Sequence, residues 1–273
     1  MRLYRAHGLG NDYLVVEQGP ALTEQLVRAL CDRHRGVGGD GVLEPRSAPG
    51  SRHGVRIWNP DGSVAEKSGN GLRIYAWWLV TEQGAPRQLE LWTGFETALC
   101  EVGTTEVAVS MGRARFQPDE VPVDRWRIDS PLKVGSDVVR VVALGLGNPH
   151  CVCFVDRDPD SLPWRRWGAA LEVNPIFPNR TNVQVAQVVD RCTVQARIWE
   201  RGAGETLASG SSACAVAAAG VRTERLDAGT IRVVMPGGTL RVQASSDLDL
   251  VLSGPVEPVA RVEVDRAWLA ARS

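Results

Sequence analysis

"ASGSSACAVAAAG", residues 208–220, places a serine in a Gly/Ser-rich turn and follows it with an almost unbroken run of small apolar residues. Such a run reads as a helix buried on every side, since an amphipathic surface helix would show a polar stripe. Residues 67–79, "KSGNGLRIYAWWL", are built alike: serine, glycine, a polar residue, then an apolar helical pattern. Ser68 and Ser209 lie 141 positions apart, as do "RIWN" (56–59) and "RIWE" (197–200). "GLGND" begins at Gly8 and "GLGNP" at Gly145, an offset of 137 that a four-residue insertion between the motifs reconciles. Three matched features in one order indicate an internal repeat. The chain reads as two related halves.

The flanking pattern is mixed. "YLVVE" (13–17) and "CVCFV" (151–155) read as buried strands opening each half. Residues 22–34 read as a helix with Leu22, Leu26, Ala29 and Leu30 on one face, and Leu72, Tyr75, Ala76 and Leu79 share a face after Ser68. "GVRIW", "QLELWTG", "TEVAVSMG", "VVRVVALG", "TVQARIW", "TIRVVMPGG", "TLRVQAS" and "LDLVLSG" read as strands between Gly, Pro and Asp turns. The fold class is α+β, with two domains each wrapping a central helix. The halves are drawn at 1–117, joined by the C-terminal 258–273, and at 118–257, with "ARFQPDEVPVD" (114–124) as the linker.

Composition narrows the function classes. The chain has 273 residues, enough for one large domain or two ordinary ones, and a net charge of −1 gives no electrostatic reason to expect nucleic acid or an anionic membrane. The N-terminus lacks the apolar core of a signal peptide and no segment reaches 18 apolar residues, so a cytoplasmic location is expected. Six cysteines stand scattered in apolar contexts without a C-x-x-C pair, which reads as buried reduced thiols rather than a metal site or disulfide framework.

A helix starting at "SGNG" leaves its first backbone N–H groups free at the positive end of its dipole, a seat for a carboxylate or phosphate. A lone serine there is most simply an N-cap. Two in matched halves permit more: about a pseudo-two-fold axis, both helix mouths can meet opposite faces of one substrate. That arrangement suits 1,1-proton transfer. Asn11, Asn59, Asp61, Asn148, His150, Asn182, Glu200 and Arg201 recur in turn-rich strings and supply donors and acceptors sized for amino and carboxylate groups, with Arg201 able to clamp a carboxylate. Rival motifs fail. "GVGGDG" (36–41) follows a helix and precedes a strand, the reverse of a dinucleotide fingerprint. Neither serine sits in G-x-S-x-G, and only Lys67 and Lys133 could form a Schiff base, which argues against a pyridoxal phosphate enzyme.

In "HGLGNDYLVVE", "RGVGGDG", "NPDGSVAEKSGNGLR", "LGLGNPHCV", "FPNRTNV" and "ERGAGETLASGSSACA", in this order across nearly its whole length, the chain resembles the diaminopimelate epimerases. The resemblance implies two pseudo-symmetric domains, each a barrel-like β-sheet around a central helix, and a homodimer. It implies interconversion of L,L- and meso-diaminopimelate, on the route to lysine and peptidoglycan, with no cofactor and no metal. The substrate's reacting carboxylate should then sit on Gly69-Asn70 and Gly210-Ser211. Asn59, Asn182, Glu200 and Arg201 should contact the substrate, Asn11 and Asn148 should add polar contacts, and His150 and Glu200 should support the acid–base pair.

That pair is cysteine in the family and Ser68 and Ser209 here. A thiol titrates near about 8.5, and a helix start brings it close to neutrality. A helix dipole contributes about 0.3–1 kcal/mol, up to about 2, which moves a hydroxyl by about one pKa unit. Each serine stays protonated, so neither is a credible unaided base. Three readings stand: serines substituted into an ordinary epimerase to trap a ligand; a natural serine-type relative, slow or using His150 or Glu200 as base on another amino acid; and a silent amino-acid-binding relative. Lys67 and Ser212 favour natural divergence.

Overall fold

"RLYRAHG" alternates apolar with polar side chains and forms strand β1 (Arg2–Gly8), with Leu3, Tyr4 and Ala6 buried. A turn through Gly10, at φ +88°, leads into β2 (Asn11–Gln18). Here a computed structural model describes residues 1–50, 52–121, 123 and 127–272. Its contacts divide the chain into two units, Met1–Ser110 with Gly254–Ser273, and Met111–Ser253.

In the first unit, Thr23 caps α1 (Glu24–Cys31) by accepting the Leu26 N–H at 3.2 Å. There follow β3 (Val42–Arg46), β4 (His53–Trp58), the short β5 (Val64–Ala65), α2 (Gly69–Gln83), β6 (Gln88–Trp92), β7 (Thr97–Val102) and β8 (Glu106–Arg113). The returning strand Glu257–Glu263 pairs antiparallel with β1, and β1 with β2. β2 runs parallel to β3 and β4 parallel to β6; β3–β4, β6–β7 and β7–β8 are antiparallel. α2 packs on β1 and β2 and also on β6 and β7, so the sheet curls around it. Its side chains from Leu72 to Ala76, Arg73 included, are all buried.

The second unit repeats this plan. It has β9 (Ser130–Val134), β10 (Asp137–Gly145), β11 (Pro149–Val155), α3 (Trp164–Glu172), β12 (Asn182–Asp190), β13 (Thr193–Glu200), β14 (Gly204–Thr206), α4 (Gly210–Arg222), β15 (Gly229–Met235), β16 (Gly238–Ala244) and β17 (Asp249–Pro255). The parallel steps recur in the same places: β11 with β12, across α3, and β13 with β15, across α4. α4 touches β10, β11, β12, β13, β15 and β16, and Ala213 to Ala219 are each 0% exposed. Alanine suits this position twice over, as a strong helix former and as a side chain small enough for strands to close on all sides. Burial on every face is the outcome expected of the 208–220 pattern.

Three expectations shift. "YLVVE" and "CVCFV" form the second strand of the first unit and the third of the second rather than opening strands, because β1, and β9 with β10, precede them, and β1 and β10 pair with them. The helix expected over 22–34 covers Glu24–Cys31, since Thr23 caps its start and Asp32 adopts an extended ψ of 119°. In 114–124, residues 122 and 124 lie outside the described residues. The rest packs rather than hangs free: Ala114, Phe116 and Val121 are buried, and Arg115 bridges to Gly145.

Candidate active site

Both serines are helix N-caps, with nearly superposable backbones: Ser68 at φ −142°, ψ 115° and Ser209 at φ −142°, ψ 126°. Ser68 Oγ accepts the Gly71 N–H at 3.0 Å, and Ser209 Oγ accepts that of Ser212 at 3.5 Å. Each hydroxyl thus takes the third amide of its helix. The first two, of Gly69 and Asn70 or of Gly210 and Ser211, have no carbonyl within the helix to bond and are left to an acceptor from outside it. Ser68 and Ser209 belong to different units.

In the first unit, Ser68 Oγ also lies 2.9 Å from the Tyr13 hydroxyl. Beside it runs a continuous polar chain. Arg73 donates to Asn70 Oδ1 at 2.7 Å, Asn70 donates to Asn11 Oδ1 at 2.9 Å, and Asn11 donates to Asp40 at 3.0 Å. Arg33 then bridges Asp40 and Asp12 at 2.7 and 2.6 Å, and Arg5 binds Asp12. Burial alone would raise the Asp12 carboxyl, but hydrogen bonds from Arg33 and Arg5 outweigh it and hold it below its usual range. Asp40 moves up, through burial first and the neighbouring Asp12 charge further. Both ends of the Asn11 amide are engaged within this chain. Asn59 sits apart in the turn after β4, donating its side chain to Ser63 Oγ at 2.9 Å.

In the second unit Asn148, Asn182 and the Glu200–Arg201 turn gather around a buried histidine. His150 is 0% exposed. Gln184 Nε2 donates to its Nδ1 at 3.1 Å, which leaves the ring hydrogen on Nε2, donated to Asn148 Oδ1 at 2.8 Å. The same Gln184 amide donates to Ser212 Oγ at 3.0 Å, tying the histidine to the first turn of α4. Asn182 donates to the Pro149 carbonyl and accepts the Arg201 backbone N–H, both at 3.0 Å. Burial first, and the Arg201 charge second, push His150 down to about 3, so it is neutral at pH 7 and a weak base. The turn that carries Glu200 and Arg201 is held from below by Glu172, which accepts from Trp199 Nε1 at 2.8 Å and from the Gly202 N–H at 2.9 Å.

Tyr13, Gln184, Arg73 and Glu172 stand outside the set that the sequence singles out. A signal exists for the first. At the 137-residue offset Asn11 matches Asn148, and Tyr13 matches His150.

Two copies of one sheet-around-a-helix unit, each with a capping serine and two amides unpaired by its own buried helix, define a duplicated α+β protein with matched polar helix starts. The family model for diaminopimelate epimerase matches residues 3–117 and 142–259. Among relatives, a diaminopimelate epimerase 2 of Nostoc sp. is 41% identical, covering 97% of this chain and 95% of its own. A diaminopimelate epimerase of Pelotomaculum thermopropionicum is 37% identical over 95% of this chain and 97% of its own. Two solved structures share the fold. A hydroxyproline epimerase from Agrobacterium vitis has TM-score 0.68 at 15% identity, covering 98% of this chain and 93% of its own. A Bacillus anthracis phenazine biosynthesis protein of the PhzF family has TM-score 0.67 at 15% identity, covering 97% and 99%. The chain belongs to the diaminopimelate epimerase family.

Proposed function

We propose that this chain is a cofactor-independent amino-acid epimerase that interconverts L,L- and meso-diaminopimelate by 1,1-proton transfer. The observation that carries the proposal is the matched pair of caps, two serines at one backbone conformation on the buried helices of two repeated units. In this proposal the amides of Gly69-Asn70 and Gly210-Ser211 receive the reacting carboxylate, where they stabilise the charge that develops as the α-proton leaves. Ser68 and Ser209 meet opposite faces of that carbon. Asn59, Asn182 and Arg201 hold the distal amino-acid end, Asn11 and Asn148 add polar contacts, and His150 and Glu200, the latter also touching the substrate, support the proton carriers. We assign the reaction to lysine biosynthesis in the cytoplasm and the active form to a homodimer, which size-exclusion chromatography with light scattering would test.

A second reading is supported by the weakness of the serines as bases and of His150 as their helper: an amino-acid-binding relative without turnover. One experiment separates the two. Incubated with L,L-diaminopimelate in heavy water, an epimerase exchanges the α-proton and forms the meso isomer, both visible by proton NMR. Tight calorimetric binding with no exchange means a binding protein. Neither binding nor exchange removes diaminopimelate as the ligand.

A further inference from the structure

The structure assigns Tyr13 a role in the proposed reaction: we infer that its phenol is the positioning residue and proton reservoir behind Ser68. The inference rests on the epimerase reading above and extends it to a residue outside the expected set.

Three observations converge. The Tyr13 and Ser68 oxygens are 2.9 Å apart, and either can donate. Ser68 Oγ already accepts the Gly71 N–H, so its own hydrogen is available for Tyr13. In the repeat, Tyr13 occupies the place of His150, so each unit sets a proton-carrying side chain at the same point of its second or third strand. The third observation is how the ring is held. Tyr13 is 6% exposed, and a Cβ at Gly41 would lie 2.5 Å from its Cε1 and 2.4 Å from the Trp58 carbonyl oxygen. Gly41 closes "GVGGDG", the motif that fits no nucleotide site. Its missing side chain is the space in which the phenol stands. Gly71 does likewise for the serine, since a Cβ there would lie 3.2 Å from Ser68 Oγ.

The step balances without a co-reactant. When the substrate's Cα–H bond breaks, Ser68 Oγ takes that proton and passes its own hydrogen to the Tyr13 phenolate. Serine and phenol end neutral, and the negative charge moves to the substrate carbanion. In reverse the phenol gives its proton to Ser68, which gives its own to the carbon. A phenol titrates near about 10, so it holds a transferable proton closer to neutrality than an alcohol can.

The charged groups on surrounding elements have partners of their own. Arg5, Asp12, Arg33 and Asp40 bind one another. Glu17 bonds to Trp78, and Glu44 to Trp58 and Arg46. Arg73 bonds to Asn70, and Lys67 pairs with Glu96.

Tyr13→Phe keeps the ring and removes only the oxygen. We expect α-proton exchange on diaminopimelate to fall about 10²–10⁴-fold while Tm drops by only about 1–6 °C for the one lost hydrogen bond, and the phenol's contribution to the rise of rate with pH to vanish. A second measurement needs no turnover. In Ser68→Cys, the pH midpoint of thiol alkylation at position 68, read site by site by mass spectrometry, should rise by about one to two units when Tyr13→Phe is added, because the thiolate loses a hydrogen-bond donor. An unmoved midpoint, or an unchanged pH–rate profile in Tyr13→Phe, overturns the assignment. A raised midpoint with no exchange in any version upholds the Tyr13–Ser68 coupling and defeats the epimerase reading instead.

Discussion

Replacing each capping serine by alanine, one at a time, should reveal an asymmetry that the paired architecture hides. Losing a serine N-cap costs about 0.5–2 kcal/mol. Ser68 receives the Gly71 N–H at 3.0 Å, whereas Ser209 receives the Ser212 N–H at 3.5 Å, the outer edge of a hydrogen bond. Ser68→Ala also removes the 2.9 Å bond to Tyr13, worth a further ~0.5–1.5 kcal/mol net. We therefore expect Ser68→Ala to cost about 1.5–3 kcal/mol and Ser209→Ala about 0.5–1. At about 2–4 °C per kcal/mol for a chain of this size, differential scanning calorimetry should show Tm falling by roughly 3–12 °C in the first and about 1–4 °C in the second. Equal losses, or a larger one for Ser209→Ala, would refute this account of the two helix starts.

Other outcomes follow from single residues. His150, pushed to about 3 in the folded protein, takes up its proton only on unfolding between about pH 6.5 and 3. The stability this confers is complete above about pH 6.5 and falls by about 1.4 kcal/mol for each pH unit below it, so His150→Gln should flatten the slope of Tm against pH in that window. Gly41→Ala drives a Cβ to within 2.4 Å of the Trp58 carbonyl oxygen, a backbone atom that cannot swing away. Chemical denaturation should show about 1–3 kcal/mol of destabilisation. Cys192 is exposed while Cys31, Cys100, Cys151, Cys153 and Cys214 are buried, and burial pushes the Cys31 and Cys100 thiols up to about 12. A chromogenic disulfide reagent should find one fast thiol in the native chain and all six after unfolding.

Sequence alone carried the architecture far because duplication leaves marks that local chemistry does not blur. "RIWN" and "RIWE" fall at the ends of β4 and β13, and the two serines fall one residue before α2 and α4. The alanine run of α4 could satisfy burial only by being enclosed. What escaped was polar and non-local. β12 hid because Gln184, fully buried within it, interrupts the apolar run, and only His150 and Ser212 from other elements explain it. α3 hid behind Arg165 and Arg166, which face outward while Trp164, Trp167 and Leu171 turn in. Tyr13 sits in "YLVVE", where an aromatic reads as ordinary core. The oxygen it meets is 55 residues further along the chain.

The central claim is that serine occupies both proton-transfer positions of an intact diaminopimelate site. Converting Ser68 and Ser209 together to cysteine and measuring the rate at which L,L-diaminopimelate becomes the meso isomer tests that most directly. A rate several orders of magnitude above that of the serine protein is the predicted result. A double variant that folds, keeps its melting temperature and remains inert on diaminopimelate would contradict it.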